Sequence, residues 1–518
     1  MKKRFVSILV FALALCAFAE DENSLGDFDP FGDSATDDQT SNFSIALGGS
    51  LNAGGKFFFN DFKTFSDTRA SSLIFGDLHV KATAPLTEAY FGVKINDMVL
   101  PFHFGGKPEL YPREPQIPRW IDEAYVQASI DPVVFGGGIK KLTWGKADAF
   151  SVLDVINPQD LSDLTVSDIQ KTKIARPMLY LSAYLPKEMK LDFVFLPIFE
   201  GNTFALSGRW KSNQFEKMQT NLFKEAGTDI VTRYMMAGKS QMEAMNNMMQ
   251  FYEKMNNGTL PIANNFPTEI DSAKLKYAQA GIRYTATIAG MHDVGFQYFY
   301  GRLPNPALTV DGDALFAMID AGKEADQTTP AGQQKLMQAM KAAQKAFTMD
   351  YNPYHQIGID YALALGPINV RTEFAANITY DLKGDKPNVY NPSLAWNAGI
   401  DYTTPIGLSI NVCASENIKL MHNKIGTKLY DIEKGSKVTD TKIMLLLSKP
   451  LLRDSMNLKL RTVMAAETLD FFMVPSFDWT FGTFFLNIEA GFFFGKKDGT
   501  FSQFKDNNYI GLSIGYTF

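Results

Sequence analysis

The residue types that most often perform chemistry are few in this chain and lie far apart. The one G-x-S-x-G run, Gly511-Leu512-Ser513-Ile514-Gly515, lies within the alternating pattern of the last strand and not on the strand-to-helix turn that a nucleophile elbow needs. The five histidines stand singly, without the spacing of a metal-ligating pair; they are His79, His103, His292, His355 and His422. The sequence therefore predicts neither an enzyme nor a bound cofactor or metal.

Two groups of residues keep a metal ion open as an alternative. Four loop carboxylates could bind Ca²⁺, which takes oxygen ligands, but they lack the spacing of an EF-hand loop; they are Asp148, Asp154, Asp160 and Asp163. Seven methionines lie between Met235 and Met255, and thioethers are ligands for Cu(I). Turn capping by the carboxylates and packing of a loop helix by the methionines are the favoured interpretations. A flexible apolar surface for hydrophobic molecules is a third use of the methionines.

Charged residues recur at alternate positions between apolar ones, as in a β-strand with two different faces. In the segment 369–381, Arg371 and Glu373 share one face, and Phe374 lies on the other. In a membrane barrel the apolar face meets lipid and the charged face lines the lumen. Arg371 and Glu373 are therefore expected to act on a permeating ion. The candidate lumen-lining residues are Asp77, His79, Lys81, Glu123, Arg371, Glu373, Asp401, Lys459, Arg461 and Glu489.

The N-terminus has the features of an export signal. A basic start is followed by an apolar stretch too short to span a bilayer, and by the A-x-A cleavage pattern of Ala17-Phe18-Ala19. We therefore expect a signal peptide over 1–19, with lipidation of Cys16 as a minor alternative. Residues 20–42 are acidic and contain no Lys or Arg, which predicts a disordered leader, or alternatively a plug or partner-binding arm. After Ala19 no run reaches the ~20 apolar residues of a membrane-spanning helix.

The C-terminus alternates apolar residues with small or polar ones up to the terminal Phe518. Tyr516 shares the parity of Phe518, whereas Gly515 and Thr517 have the opposite parity. This end resembles the closing strand of bacterial outer-membrane β-barrels, which the barrel-assembly machinery reads. The resemblance implies an outer-membrane location, with lipid and the assembly machinery as partners.

Short turns, among them Lys449-Pro450, and longer connections, among them Ala465-Leu469, alternate along 43–518, as periplasmic turns and extracellular loops do in bacterial barrels. Counting between them predicts an all-β, transmembrane antiparallel barrel of about 18 strands, with 14 or 16 still possible. Two long loops, near 211–257 and 313–348, carry helical periodicity. In the second loop, Thr329-Pro330 reads as an N-cap followed by proline at the first helical position, and Leu336, Met340, Ala343 and Phe347 then make an apolar stripe.

Composition agrees with an exported barrel. The net charge of -6 gives no basic surface of the kind that nucleic acid favours. The 42 Phe and 20 Tyr residues suit aromatic girdles at the membrane interfaces. Removal of the signal would leave Cys413 as the single cysteine, so no internal disulfide is expected.

One loop carries a motif, W-G-x-x-D followed by D-x-x-N-P-x-D. Its residues are Trp144, Gly145, Asp148, Asp154, Asn157, Pro158 and Asp160. Together with the later Leu196-Pro197-Ile198-Phe199, the motif resembles poorly characterised large outer-membrane β-barrel proteins of Gram-negative bacteria and spirochaetes. The resemblance implies a large barrel and no particular substrate. Read physically, Asp and Asn cap turns, and Asn-Pro fixes one.

These patterns predict an outer-membrane channel or transporter that passes small solutes through a polar, loop-constricted lumen. Both signs of charge occur among the candidate lumen residues, which predicts selectivity by size and local charge. Two alternatives remain. One is a barrel that takes up hydrophobic molecules, and the other is a surface adhesin or interaction protein that uses its long loops.

Overall fold

The computed structural model describes residues 43–59, 70–96, 110–111, 120–166, 169–256, 274–323, 328–496 and 499–518. The predicted signal peptide and acidic leader lie outside the described residues. Eighteen strands form one antiparallel sheet. They are β1 (Ser44–Phe58), β2 (Ala70–Ala84), β3 (Thr87–Asn96), β4 (Ile121–Ile130), β5 (Val133–Lys140), β6 (Arg176–Leu185), β7 (Met189–Leu196), β8 (Gln279–Ile288), β9 (His292–Arg302), β10 (Pro353–Leu365), β11 (Ile368–Thr379), β12 (Ser393–Thr403), β13 (Ser409–Lys419), β14 (Thr439–Leu451), β15 (Met456–Ala465), β16 (Asp470–Phe481), β17 (Phe484–Phe494) and β18 (Tyr509–Thr517).

The sheet closes on itself between its first and last strands. β1 pairs with β2 and also with β18, in a register that runs from Ser50 opposite Thr517 to Phe58 opposite Tyr509. Closure leaves the described 18-stranded sheet without an edge strand. The predicted 18-stranded antiparallel barrel is confirmed.

Short turns and longer connections alternate around the barrel, so it has a short-turn end and a long-loop end; the exception is the connection after β15, 466–469, which is as short as the turn after β14, 452–455. The turn predicted at Lys449-Pro450 is wrong by a few residues. β14 continues to Leu451, and Pro450 pairs with Asn457 next to the turn. Proline is accepted at such a position because the missing N–H falls at the end of the ladder. The start of β1 and the C-terminal Phe518 lie at the short-turn end, where the Gly49 N–H donates to the Phe518 carbonyl at 3.0 Å.

The two faces of the barrel wall differ in polarity. Along β18, Ile510, Leu512 and Ile514 are about half exposed on the outside, whereas Gly511 and Ser513 between them are buried. In β11, Phe374 is exposed while its neighbour Glu373 is fully buried. The charged side chains thus lie inside the barrel and the large apolar ones outside, the reverse of a water-soluble barrel.

The two predicted helical loops are confirmed. Within the described residues, the connection after β7 contains α1 (Asn213–Met236) and α2 (Gln241–Asn256), and the connection after β9 contains α3 (Gly312–Lys323) and α4 (Pro330–Ala346). The Thr329 side chain caps α4 by accepting from the Gly332 N–H. Among the described helices, none is long and apolar enough to cross a membrane.

The helices and the connection 420–438 pack together at the long-loop end into a unit that we term the cap. Its core includes Leu222 and Ile230 of α1, Leu315 of α3, and Tyr430 of the connection 420–438, all buried. Polar contacts add to this core, because Arg233 bridges Asp229 of α1 and Asp313 of α3. The cap has its own hydrophobic core, separate from the clusters inside the barrel.

Candidate functional site

The connection between β5 and β6, residues 141–175, is termed the inserted loop. Its Asp163 pairs with Lys56 of β1 at 3.6 Å, and its residues 146–153 bond Glu373 of β11. β1 and β11 stand on nearly opposite sides of an 18-stranded barrel. A segment that touches the inward side chains of both must cross the interior.

Glu373 is the main polar anchor of the inserted loop. Its carboxylate accepts from the backbone N–H of Lys146 at 2.6 Å, of Ala147 at 2.7 Å and of Val152 at 2.9 Å. It also accepts from the Ser151 hydroxyl at 2.7 Å and from the Leu153 N–H at 3.4 Å. Glu373 is 0% exposed, so its charge is taken up by the loop instead of facing water in the lumen. This placement differs from the expectation that Glu373 acts directly on a passing ion.

Gly145 allows the loop to wrap around this carboxylate. Its φ of 97° lies in the region that favours glycine. A Cβ at Gly145 would also stand only 2.7 Å from the Ser151 Oγ. The glycine of the motif therefore fits a turn that aims two successive N–H groups at Glu373.

Three amide side chains of the wall hold the same stretch of loop through its carbonyls. Asn397 of β12 donates to the Ala149 carbonyl at 2.9 Å. Gln297 of β9 donates to the Leu153 carbonyl at 2.9 Å, and Gln356 of β10 donates to the Val152 carbonyl at 3.0 Å. Residues 146–153, the tip of the inserted loop, are therefore hydrogen-bonded to four consecutive strands, β9 to β12.

Apolar contacts complete the attachment. The Trp144 ring is buried against Gly281 of β8, where a Cβ would approach it to 2.7 Å. Leu153 packs on Ala375 of β11, and Ala149 packs in a cluster with Cys413 of β13. The inner wall thus carries apolar as well as polar side chains where the loop packs on it, although the sequence pattern assigned it a polar face.

The base of the loop is braced by the second half of the motif. The Asn157 amide donates to the carbonyls of Lys140 and Ile174 and accepts from the Leu142 N–H. Asp154 pairs with Lys173 at 2.6 Å, and both are deeply buried. Burial raises the pKa of Asp154, and Lys173 opposes that shift. The buried Pro158 accepts the Ile174 N–H with its carbonyl.

A charge cluster lies beside the tip of the inserted loop. Arg371 pairs with Asp148 of the loop and, at 2.7 Å, with Asp401 of β12. Asn411 of β13 donates to the Asp148 carboxylate at 2.9 Å. Burial raises the pKa of Asp148, and the Arg371 guanidinium opposes that shift. Arg371 is 27% exposed, so this cluster, unlike Glu373, reaches solvent.

Other candidate lumen residues form local pairs on the inner wall. Asp77 accepts from the Ser50 hydroxyl and lies 3.6 Å from His79. Lys81 pairs with Glu88 at 3.1 Å. These pairs lie on β1 to β3, whereas the tip of the inserted loop is held by β9 to β12.

The remaining candidates lie at the base of the loop or on β15 to β17. Glu123 of β4 accepts from the Lys141 N–H at 2.6 Å. Lys459 pairs with Asp478 at 3.0 Å. Glu489 accepts from a tyrosine hydroxyl of β18 at 3.1 Å, and the half-buried Arg461 lies on the neighbouring part of the wall. Tyr516 and Phe518, proposed as the assembly signal, stack with ring centroids 6.0 Å apart.

The four loop aspartates do not converge on one point. Asp148 faces Arg371 and Asp154 faces Lys173, while Asp160 and Asp163 each cap a turn by accepting from the backbone N–H two residues on. Among the described residues, no group of three His, Cys, Asp or Glu side chains is placed to hold a metal ion. The turn-capping interpretation therefore holds for Asp160 and Asp163, and Asp148 and Asp154 form ion pairs instead.

Several functional contacts were not singled out from the sequence. Lys56, Gln297 and Gln356 contact the inserted loop from the wall. The alternation of strands assigns them to the inner face, but it carries no signal for which inner residues meet a loop. Such contacts join positions far apart in sequence.

The geometry defines a class: a closed 18-stranded antiparallel β-barrel whose interior is crossed by one of its own connections. No family model matches the chain, and no curated protein matches it. Among solved structures, the chain is similar to a multiple mutant of Rhodopseudomonas blastica porin, with 10% identity, a TM-score of 0.37, and coverage of 92% of this chain and 100% of that one. A triple mutant of the same porin shows 9% identity and a TM-score of 0.36 with equal coverage. The barrel assignment rests on the strand pairing.

Proposed function

We propose that this protein is an outer-membrane channel or transporter that passes small polar solutes through a loop-constricted lumen. The observation that carries the proposal is the inserted loop, bonded to Glu373 on one side of the barrel and to Lys56 on the other. A loop held across the interior narrows the path and places charged side chains beside it.

The polarity of the wall supports insertion in a membrane. Leu512, Phe374 and Ile359 are each more than half exposed on the outside, and a monomer in water rarely exposes an apolar surface that surrounds it. Bacterial barrels place their short turns in the periplasm and their long loops outside the cell. On that rule both described chain ends face the periplasm and the cap faces outward.

Charges of both signs border the path. Arg371, Asp148 and Asp401 stand on one side of the inserted loop. Lys56 and Asp163 stand on the other side. A path between them discriminates by size and local charge, since neither sign dominates.

Reconstitution tests the proposal. The purified full chain, added to a planar lipid bilayer in salt solution, is expected to give discrete conductance steps. The heat-unfolded chain is the control for leakage by detergent or contaminants. Absence of steps from protein that migrates as a folded, heat-modifiable barrel would count against a channel.

The outward position of Phe374 gives a separate prediction about stability. Phe374→Lys is expected to lower the free energy of unfolding by about 2–4 kcal/mol, because a lysine near mid-bilayer must leave water. Phe374→Leu keeps the side chain apolar and is the matched control. Urea unfolding in lipid vesicles measures both, and equal stability of the two variants would contradict a lipid-facing Phe374.

One observation favours a second candidate, uptake of hydrophobic molecules. The cap exposes methionines on its α1–α2 hairpin, with Met236 at 83%, Met242 at 76% and Met249 at 64%. Flexible thioether side chains suit binding of varied apolar surfaces. Binding of an apolar fluorophore that is lost on changing these methionines to Gln would support this candidate. If the methionine variants bind the fluorophore as the wild type does and the signal is lost only on unfolding, the exposed methionines do not support this candidate.

A further inference from the structure

A cavity of about 400 Å³ lies at the long-loop end of the barrel interior. Its floor includes Val152 and Val155 of the inserted loop, and its wall is formed by β10 to β13. The connections after β9, β11 and β13 contribute the remaining sides. Pockets for small molecules are typically ~300–1,000 Å³, so this one is large enough for a solute.

The cavity wall carries a ladder of amides whose orientation is fixed. Gln297 donates to Gln356 at 2.9 Å, and Gln356 donates to Asn377 at 3.0 Å. Asn377 in turn donates to the Ser393 hydroxyl at 3.3 Å. Ser393 lines the cavity, and its hydroxyl proton remains for a further acceptor.

Two more polar groups line the cavity with hydrogen-bonding capacity left. The Tyr354 side chain is 3% exposed, and its hydroxyl forms no hydrogen bond with any residue that the structure describes. Buried tyrosine hydroxyls usually have a partner. The Asn417 amide likewise bonds to no described side chain or backbone group, and it also lines the cavity.

The rest of the lining is apolar or charge-neutral. Val152, Val155 and Leu303 contribute aliphatic surface, and Tyr354 and Tyr390 contribute aromatic surface. The two ions of the lining, Lys419 and Glu433, neutralise each other at 2.6 Å. A charged solute would therefore find no unpaired opposite charge here.

We propose that this cavity is a binding site for a neutral saccharide on its way through the barrel. The C–H faces of a sugar can pack on the aliphatic and tyrosine side chains of the lining. Its hydroxyls can form hydrogen bonds with Ser393, Asn417 and Tyr354. The proposal rests on the proposed transport function and names its substrate class. The hydrogen bonds of the amide ladder fix the orientation of its polar side chains before a sugar binds.

Calorimetric titration of the full chain in lipid nanodiscs tests the site, with maltose as the probe. Tyr354→Phe removes one oxygen and is expected to weaken maltose binding about fivefold, and Asn417→Leu roughly tenfold. Tyr90→Phe and Asn369→Leu are matched controls, because Tyr90 lies on β3 and Asn369 lies at the short-turn end of β11. Gluconate, glucosamine and glutamine are expected to bind more weakly than maltose.

Conductance of the same preparations separates this proposal from the transport function. A barrel that conducts but binds no maltose overturns the saccharide site and leaves the channel standing. Binding that depends on Tyr354 and Asn417 in a barrel that does not conduct supports the site and overturns the channel. Equal binding by wild type and both cavity variants, or tighter binding of gluconate or glucosamine, overturns the site.

Discussion

Glu373→Gln is expected to free the tip of the inserted loop and to raise the single-channel conductance several-fold. The carboxylate accepts five hydrogen bonds from the loop, four of them from backbone N–H groups. A glutamine offers one acceptor oxygen. Its NH₂ group would face backbone N–H groups, from which it cannot accept a hydrogen bond. Leaving buried donors unpaired costs about 1–3 kcal/mol each.

Glu88→Gln is the matched control, because Glu88 also lies on the inner wall but pairs with Lys81 instead of the loop. The two variants are compared by conductance in planar bilayers and by protease cleavage within 146–153 from the outside. Glu373→Gln is expected to change both readouts, and Glu88→Gln neither. Unchanged conductance with the loop still protected would show that the amide hydrogen bonds and the apolar contacts of the loop suffice to hold it.

The barrel wall was predictable from the sequence because its signal is local. Alternation over about ten residues reports which face each side chain takes, and turn residues mark where strands end. These patterns predicted about 18 strands, with 14 or 16 still possible, and they placed Glu373 and Phe374 on opposite faces. The turn after β14 was misplaced because Pro450, a usual turn residue, is tolerated in the last ladder positions of a strand.

The contents of the barrel were not predictable in the same way. Glu373 meets Lys146 across 227 positions of sequence, and no local pattern links the two. The motif residues marked a structured turn, as Asn157 and Asp160 show by their bonds. They gave no indication that the turn folds into the interior. The resemblance of the motif to uncharacterised barrel proteins stays a prediction.

The helices of the cap were predicted in part from the sequence. Periodicity identified Gln241–Asn256 and the capped start of α4, since both signals lie within a few residues. The stripe predicted to continue through Phe347 ends earlier, because Phe347 begins a short strand, Phe347–Asp350, that pairs with Ala307–Val310. That pairing is non-local and overrides the helical pattern.

Arg371→Glu is expected to shift selectivity strongly toward cations. Arg371 now balances part of the charge of Asp148 and Asp401, so the cluster carries one net negative charge. The substitution places three carboxylates at the same point of the inner wall. Two like charges 4 Å apart repel by about 4 kcal/mol at an effective dielectric constant of 20, and screening by salt is weaker in a narrow path than at an open surface.

The matched control is Arg453→Glu, which makes the same charge change in the exposed turn between β14 and β15. Reversal potentials in a salt gradient measure selectivity. Arg371→Glu is expected to move the reversal potential toward the equilibrium potential of the cation, whereas Arg453→Glu is expected to leave it unchanged. Repulsion from three carboxylates also pushes Asp148 and its loop away from the wall. Arg371→Gln removes the positive charge without adding a negative one, so a smaller shift in the same direction assigns the effect to charge. Identical reversal potentials for wild type and Arg371→Glu, in a barrel that conducts, would place the path elsewhere in the interior.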